Sequence, residues 1–338
     1  MVDIVFASDD GFTEQLLVAS SSAIYASRSG KSGFVIHVLD CGISDEKWVD
    51  YENWISSLAK RCEVDMRLER HKIDMHLFDG VLGWTNGSKA TWARVLLPNI
   101  LQLVDCCIYS DCDVFFVEDP SEMLEELRNS GKAIIGHKNP FGDRNLDAKW
   151  FAENNLPYLA DEYFCAGLVA MNLDLMRSLD VVNGCWEFLR KYPNPATLDQ
   201  AVLNYLCMSS KGILSEGWGL FVHECYRNDV KIKAIHFSGG WPWKKAKNTF
   251  DALCICLSYQ ANAIWHTFQT ACLGKRESQK PEVCFKLRVK AVILFFICRL
   301  MLRLRFYPAR LSCLLDLVRG YEGPATQIEK IKESLLRN

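Results

Sequence analysis

Two aspartates separated by one residue, Asp111 and Asp113, follow the apolar run 106–109 after a single serine. In an extended segment alternate side chains share a face, so both carboxylates can converge on one hard cation. Oxygen ligands of this kind suit Mg2+ or Mn2+, ions that commonly bridge the phosphates of a nucleotide. About one such triplet is expected by chance in a chain of this length and average composition. Position raises it above chance, because ligands of α/β sheets collect at the carboxyl ends of strands. A second end of this kind carries Ala7-Ser8-Asp9-Asp10-Gly11. A third segment, Ile235-His236-Phe237-Ser238-Gly239-Gly240-Trp241, follows another apolar run. A neutral imidazole can complete a carboxylate metal site, and glycines let backbone amides approach phosphate. Weaker motifs fall away. Ser29-Gly30-Lys31-Ser32 resembles the end of a phosphate loop, but Tyr25 stands where that loop needs its first glycine. No G-x-G-x-x-G occurs, and His223-Glu224 lacks the second histidine of a zinc-protease helix.

Strands and helices must alternate to present these ends. The apolar runs 4–7, 34–39, 106–109, 114–117 and 133–136, and the stretch 64–68 that alternates apolar with polar, read as strands. Helical spacing marks 13–27, 44–60 with a serine at its start, and 121–129. A short apolar helix or turn is expected over 90–101, a helix over 198–209 and a strand over 230–235. Alternation of this type predicts an α/β domain with a largely parallel sheet. Beyond about residue 250 the chain reads as helical, so two regions are expected, 1–249 and 250–338.

With 338 residues, 49% hydrophobic and 24% charged, the chain has ample material for a core. Its 39 basic and 41 acidic residues give a net charge of −2, against a bulk nucleic-acid binder. The average conceals an asymmetry: 275–320 holds 11 Lys/Arg against 3 Asp/Glu, a local +8. Fifteen cysteines are scattered through apolar runs with no C-x-x-C, which suits small hydrophobes in a reducing compartment. Acids at positions 9 and 10 come too early for a signal-peptide apolar region. The expected location is cytoplasmic. The basic tail is expected to attach peripherally to an anionic membrane, its arginines reaching headgroups.

Six blocks in order resemble glycosyltransferase family 8, over roughly residues 2–245. They are Asp3 to Asp10 with 34–44, Thr91-Trp92-Ala93-Arg94, Tyr109 to Asp113, Tyr163 to Leu173, Leu198-Asp199-Gln200, and His236 with Gly239 and Pro242-Trp243. The resemblance implies a GT-A fold and transfer of a hexose from a UDP-sugar with retention at the anomeric carbon. It implies Asp111, Asp113 and His236 as ligands of Mn2+ (or Mg2+), with Asp111 and Cys112 also touching the nucleotide. Ala7, Ser8, Asp9 and Asp10 match the loop that holds uracil and ribose. Arg94 matches a basic residue near the donor, Gly239 a backbone approach to phosphate, and Asp199 and Gln200 the polar, catalytic pair beneath the sugar. The implied partners are a UDP-hexose, UDP-galactose or UDP-glucose, and a glycan or glycolipid acceptor of lipopolysaccharide, capsule or another surface polysaccharide. Three positions depart from the pattern. Cys165 replaces a common asparagine at the donor hydroxyls, and Asn139 replaces a common acid. Trp241 replaces a lysine that faces the diphosphate, leaving Lys244 as the candidate cation. The alternative these departures raise is a catalytically silent relative that binds nucleotide sugar or glycan.

Overall fold

In the computed structural model, seven strands assemble into one sheet, five of them at segments read as strands above and two, Phe164–Asn172 and Lys211–Ile213, not expected. Its first strands are β1 (Val2–Ser8), β2 (Phe34–Asp40), β3 (Met66–Lys72) and β4 (Cys106–Ser110). A short strand β5 (Val114–Phe116) is not among the seven. The others are β6 (Ile134–Lys138), β7 (Phe164–Asn172) and β8 (Lys211–Ile213), and the order is β3-β2-β1-β4-β7-β6-β8. β3, β2, β1 and β4 run parallel, while β7 runs against both β4 and β6. That one reversal has a consequence for the site. It sets the first residues of β7 beside the carboxyl end of β4, with Leu168 opposite Ser110. The structure describes residues 1–28, 30, 33–83, 87–227, 229–238, 242–271, 273–274, 283, 285–303, 318 and 326–337.

Two compact units divide the chain, Met1–Trp218 and Gly219–Asn338. In the first, β2 is buried at every position, as a continuous apolar run requires of a central parallel strand. β3 is the edge and alternates in exposure. It continues past the expected 64–68 to Lys72, because an edge strand tolerates charged side chains that a central one would not. The helix Thr13–Ala26 is buried over Gln15–Ile24, serines included. Ser20 returns its hydroxyl to the Leu16 carbonyl at 2.7 Å, and Ser22 to that of Ala19 at 2.7 Å. The polarity of Ser20 and Ser22 is satisfied locally, so these two sit inside at little cost. Ser44 precedes the helix Asp45–Arg61, but its hydroxyl makes no cap bond there. The expected short helix over 90–101 is a 3-10 stretch, Ala90–Leu96, running into one α turn, Leu97–Ile100. Around it Val5, Leu39, Trp92, Tyr109, Phe164 and Val202 form the core.

In the second unit β9 (Leu220–Phe221) and β10 (Ala234–His236) pair in parallel. The expected strand over 230–235 is shorter because Gln327 takes its first half. That side chain donates to the Val230 carbonyl at 2.6 Å and accepts from the Ile232 amide at 3.1 Å. Helices Thr249–Leu257, Tyr259–Ala271, Phe285–Arg303 and Thr326–Arg337 follow, as the sequence predicts. Leu253, Cys254 and Ile255 share a small core with Ala291 and Cys298. The opposite side of Phe285–Arg303 leaves Val289, Val292, Ile293, Phe296 and Ile297 exposed. No helix among the described residues is long and apolar enough to cross a membrane. Most of the basic stretch 275–320, with Arg305 and Arg310, lies outside the described residues.

The β6–β7 pairing is tight around Gly136, next to a register shift between Gly136 and His137. A Cβ there would stand 2.9 Å from Val169 Cγ1 and 3.1 Å from Phe164 Cβ. Gly136→Ala is expected to destabilise the protein by about 1–3 kcal/mol through overpacking, read as a lower midpoint of urea unfolding.

Candidate active site

β1 and β4 are parallel neighbours with Phe6 opposite Ser110, so the segments after them leave the sheet on the same edge. The aspartate triplet is not extended. The Val114 amide donates to the Asp111 carbonyl at 3.2 Å and closes a turn. Cys112 is turned inside, where its Sγ donates to the Ala7 carbonyl at 3.3 Å and ties the two segments together. Burial pushes its thiol well above the ordinary range, with Asp111 and Asp113 adding to the effect. Asp111 and Asp113 themselves stay partly exposed, with a carboxylate oxygen of each within 4.8 Å of the other. The turn thus brings together the pair that an extended segment was expected to align. Two hard oxygen ligands at this separation fit a divalent cation.

Asp111 is held from behind by Arg94, which is only 3% exposed. One terminal nitrogen of the guanidinium donates to Asp111 Oδ1 at 2.7 Å and to Thr91 Oγ1 at 2.9 Å. The other donates to the Ala166 carbonyl on β7. Its Nε donates to the Thr91 carbonyl at 3.1 Å and lies 2.8 Å from Asp199 Oδ2. The Tyr109 ring lies under the guanidinium, 4.2 Å from centroid to Cζ, and its hydroxyl donates to Asp111 Oδ1 at 3.1 Å. Burial opposes the charge of Arg94, but Asp111 and Asp199 more than offset it and its pKa rises. Thr91 is three residues from Arg94 in a 3-10 stretch, where side chains at that spacing eclipse. That spacing is the signal in the sequence that could have singled out Thr91.

Asp199 is 1% exposed and also accepts from the Thr91 hydroxyl. Burial raises its pKa to about 6, with Arg94 and Thr91 pulling it back down. Gln200 accepts from the Ala166 amide at 3.0 Å and donates to Thr197 Oγ1 at 3.3 Å. Ala166 is therefore gripped at its carbonyl by Arg94 and at its amide by Gln200. Asp147, which sequence reasoning missed, anchors the segment before this pair. It is fully buried and accepts from the Thr197 amide at 3.0 Å, from the Thr197 hydroxyl and from the Tyr163 hydroxyl. Burial raises its pKa against those bonds.

Ser8 donates to the Asp9 carbonyl at 3.1 Å, and Asp9 accepts from the Gly11 amide at 3.0 Å and the Ser88 hydroxyl at 2.9 Å. Asp10 is paired with Lys47 at 2.7 Å and accepts from the Ser44 amide at 3.0 Å, which lowers its pKa to about 2. Cys165 is buried on β7, and Asn139 is buried with its amide donating to the Tyr163 carbonyl at 2.8 Å. His236 and Lys244 belong to the second unit. His236 ends β10, buried, with its ring 5.2 Å from that of Phe221. Lys244 Nζ lies 3.5 Å from Asp251 Oδ1. Gly239 and Trp241 lie outside the described residues.

Two outcomes follow from this network. Arg94→Met strands Asp199 in the interior and is expected to cost about 3–5 kcal/mol, measured by chemical unfolding. The folded state also holds the Asp199 proton more tightly than the unfolded chain, since its pKa is raised from 3.8 to about 6. Its contribution to stability is thus complete below pH 3.8 and lost as pH rises through about 6. Asp199→Asn should flatten the stability profile in that window.

A family model described as glycosyl transferase family 8 matches residues 3–247. No curated protein sequence matches the chain. Galactosyltransferase LgtC, solved in complex with donor and acceptor sugar analogs, superposes with a TM-score of 0.64 at 19% identity, over 86% of this chain and 100% of LgtC. The apo bifunctional glycosyltransferase WbbM gives a TM-score of 0.59 at 18% identity over 77% of this chain. Only 49% of WbbM is covered, so the chain spans about half its length. GlyE of Streptococcus pneumoniae TIGR4 gives 0.53 at 17% identity, over 82% of this chain and 65% of GlyE. The fold shared with these structures is GT-A. With the family model covering most of its length, the chain belongs to glycosyl transferase family 8 and is a glycosyltransferase.

Proposed function

We propose that the chain transfers a hexose from UDP-galactose or UDP-glucose to a glycan acceptor, with retention at the anomeric carbon. The observation that carries this reading is the turn 111–113, gripped by Arg94 on the sheet edge that β1 and β4 share in a family 8 chain. Asp111 and Asp113 would hold Mn2+ or Mg2+. Such an ion, when bound, offsets the negative charge that grows on the departing diphosphate. Arg94 contributes by position: buried under its acceptors, it fixes the Asp111 carboxylate. Asp199 is inaccessible and committed to Arg94 and Thr91, so its role is positioning rather than nucleophilic. Gln200 keeps Ala166 in place beneath the sugar. The segment Ala7 to Asp10 would hold uracil and ribose, with Asp10 preset by Lys47 and Ser44. LgtC, captured with donor and acceptor sugar analogs, supports an acceptor that is itself a sugar. A surface glycan such as lipopolysaccharide or capsule is the proposed acceptor class, and the catalytic region is proposed to end near residue 249.

Turnover of UDP-galactose or UDP-glucose, followed by UDP release with Mn2+ present, tests this. Asp111→Asn and Asp113→Asn should each lower it by about a hundredfold or more, since each removes a charged ligand. Full activity in excess EDTA, or in either variant, would overturn the metal assignment, and no turnover of either donor with Mn2+ present would favour a silent relative. Cys165→Asn should change the ratio of the two donors, because a new amide at a buried site discriminates hydroxyl positions.

We also propose that the second unit attaches peripherally to an anionic membrane. The exposed Val289, Val292, Ile293, Phe296 and Ile297 repeat at intervals of three and four along one helix, whose first turns carry exposed Lys286, Arg288 and Lys290. An interfacial helix has this apolar-and-basic build. The protein should co-sediment with anionic vesicles at low salt and be released by high salt. Equal pelleting with neutral vesicles, or none with either, would count against it.

A further inference from the structure

The face of the sheet where β1, β2 and β3 meet carries a second cluster that takes no part in the site above. Register places His37 beside Val5 and Glu69, and Leu39 beside His71. Side chains two apart on a strand share a face, so Asp3, His37, Glu69 and His71 gather on one side of three adjacent strands. His37 Nε2 lies 3.0 Å from Asp3 Oδ1. With its proton there, a neutral imidazole presents a lone pair at Nδ1. That Nδ1 lies 3.1 Å from His71 Nε2 and 3.3 Å from Glu69 Oε2, and the last two atoms are 3.7 Å apart. Three ligand atoms therefore surround one point. One shared proton from His71 can serve only one of these contacts, whereas a cation at that point serves all three.

We propose that His37 Nδ1, His71 Nε2 and Glu69 Oε2 form a zinc site, with Asp3 as the carboxylate that orients His37. A tetrahedral Zn2+ with bonds of about 2.0–2.1 Å spaces its ligands about 3.3 Å apart, and the three observed separations bracket that value. Two imidazoles and one carboxylate favour zinc over the hard ions Mg2+ and Mn2+. The pairing of Asp3 with His37 is the carboxylate–histidine support that metal-bound imidazoles commonly have. Glu69 is half-exposed and His71 partly so, while His37 is buried. The ion would thus be reached from solvent and keep its fourth position for water. It would clamp the edge strand β3 to its neighbour β2.

The test uses the full chain carrying Asp111→Asn and Asp113→Asn, so that no zinc reports on that pair. After EDTA treatment and desalting, Zn2+ is titrated against a chromogenic chelator, and thermal unfolding is followed with and without Zn2+. One equivalent should bind and raise the melting temperature. His71→Gln and Glu69→Gln, both at the sheet edge, should each weaken binding at least about tenfold and cancel the thermal shift. Asp3→Ala should weaken binding by about 10–100-fold. Circular dichroism in EDTA checks that each variant is folded. Absence of zinc binding in the parent, or variants that bind as tightly and gain as much on heating, would overturn the proposal.

Discussion

A guanidinium taken out of water is costly unless its donors are matched and its charge is met. Arg94 meets that condition only because four segments converge on it. Its own 3-10 stretch brings Thr91, the end of β4 brings Tyr109 and Asp111, β7 brings the Ala166 carbonyl, and the helix Asp199–Leu206 brings Asp199. Each is far from the others in sequence. The same contacts set the Asp111 carboxylate in one orientation, so the candidate ligand inherits its geometry from the interior. A charge that must be buried thereby organises the edge of the sheet where chemistry is expected.

The carboxylates around it are sorted by environment. Asp111 and Asp113 are partly open to solvent, as ligands for an incoming cation and nucleotide must be. Asp199 and Asp147 are buried, and burial raises the pKa of both. Their partners are hydroxyls, amides and, for Asp199, Arg94, which hold them as structural acceptors. Between them Leu198 takes φ of 55°, a left-handed conformation uncommon for a branched, buried residue. Strain of this kind persists where surrounding contacts over-determine it. Here the Thr197 bonds to Asp147 lie on one side of Leu198 and the Asp199 contacts on the other.

The two carboxylate-bearing clusters of the first unit also differ in kind. The turn 111–113 offers hard oxygens at a loop, where a ligand can come and go. The set on β2 and β3 is imidazole-rich and built into strands, with each ligand's backbone held by the sheet. Rigid strands suit a resident ion and loops suit a transient one.

Local pattern in the chain was enough for much of the architecture. Apolar runs and alternation set against helical spacing identified the α/β class, most strands and most helices, because burial and periodicity act over a few residues, while β7, β8 and β9 were not identified. The blocks around Asp9, Asp111, Asp199 and His236 marked the candidate residues and carried the resemblance to the family whose model matches 3–247. Where the outcome depended on distant partners, the pattern was silent. β3 ran on to Lys72 because it is an edge, and the strand over 230–235 was shortened by Gln327 from nearly a hundred residues away. The direction of β7 decided that Cys165 and Ala166 sit beside the end of β4. The role of Arg94 as a buried hub, the part of Thr91 and Asp147, and the meeting of His37 with Glu69 and His71 all rest on contacts across strands. Sequence determined which residues were capable of chemistry; only the tertiary structure decided which were buried to hold the site and which were left open to use it, because burial depends on neighbours that sequence order does not reveal.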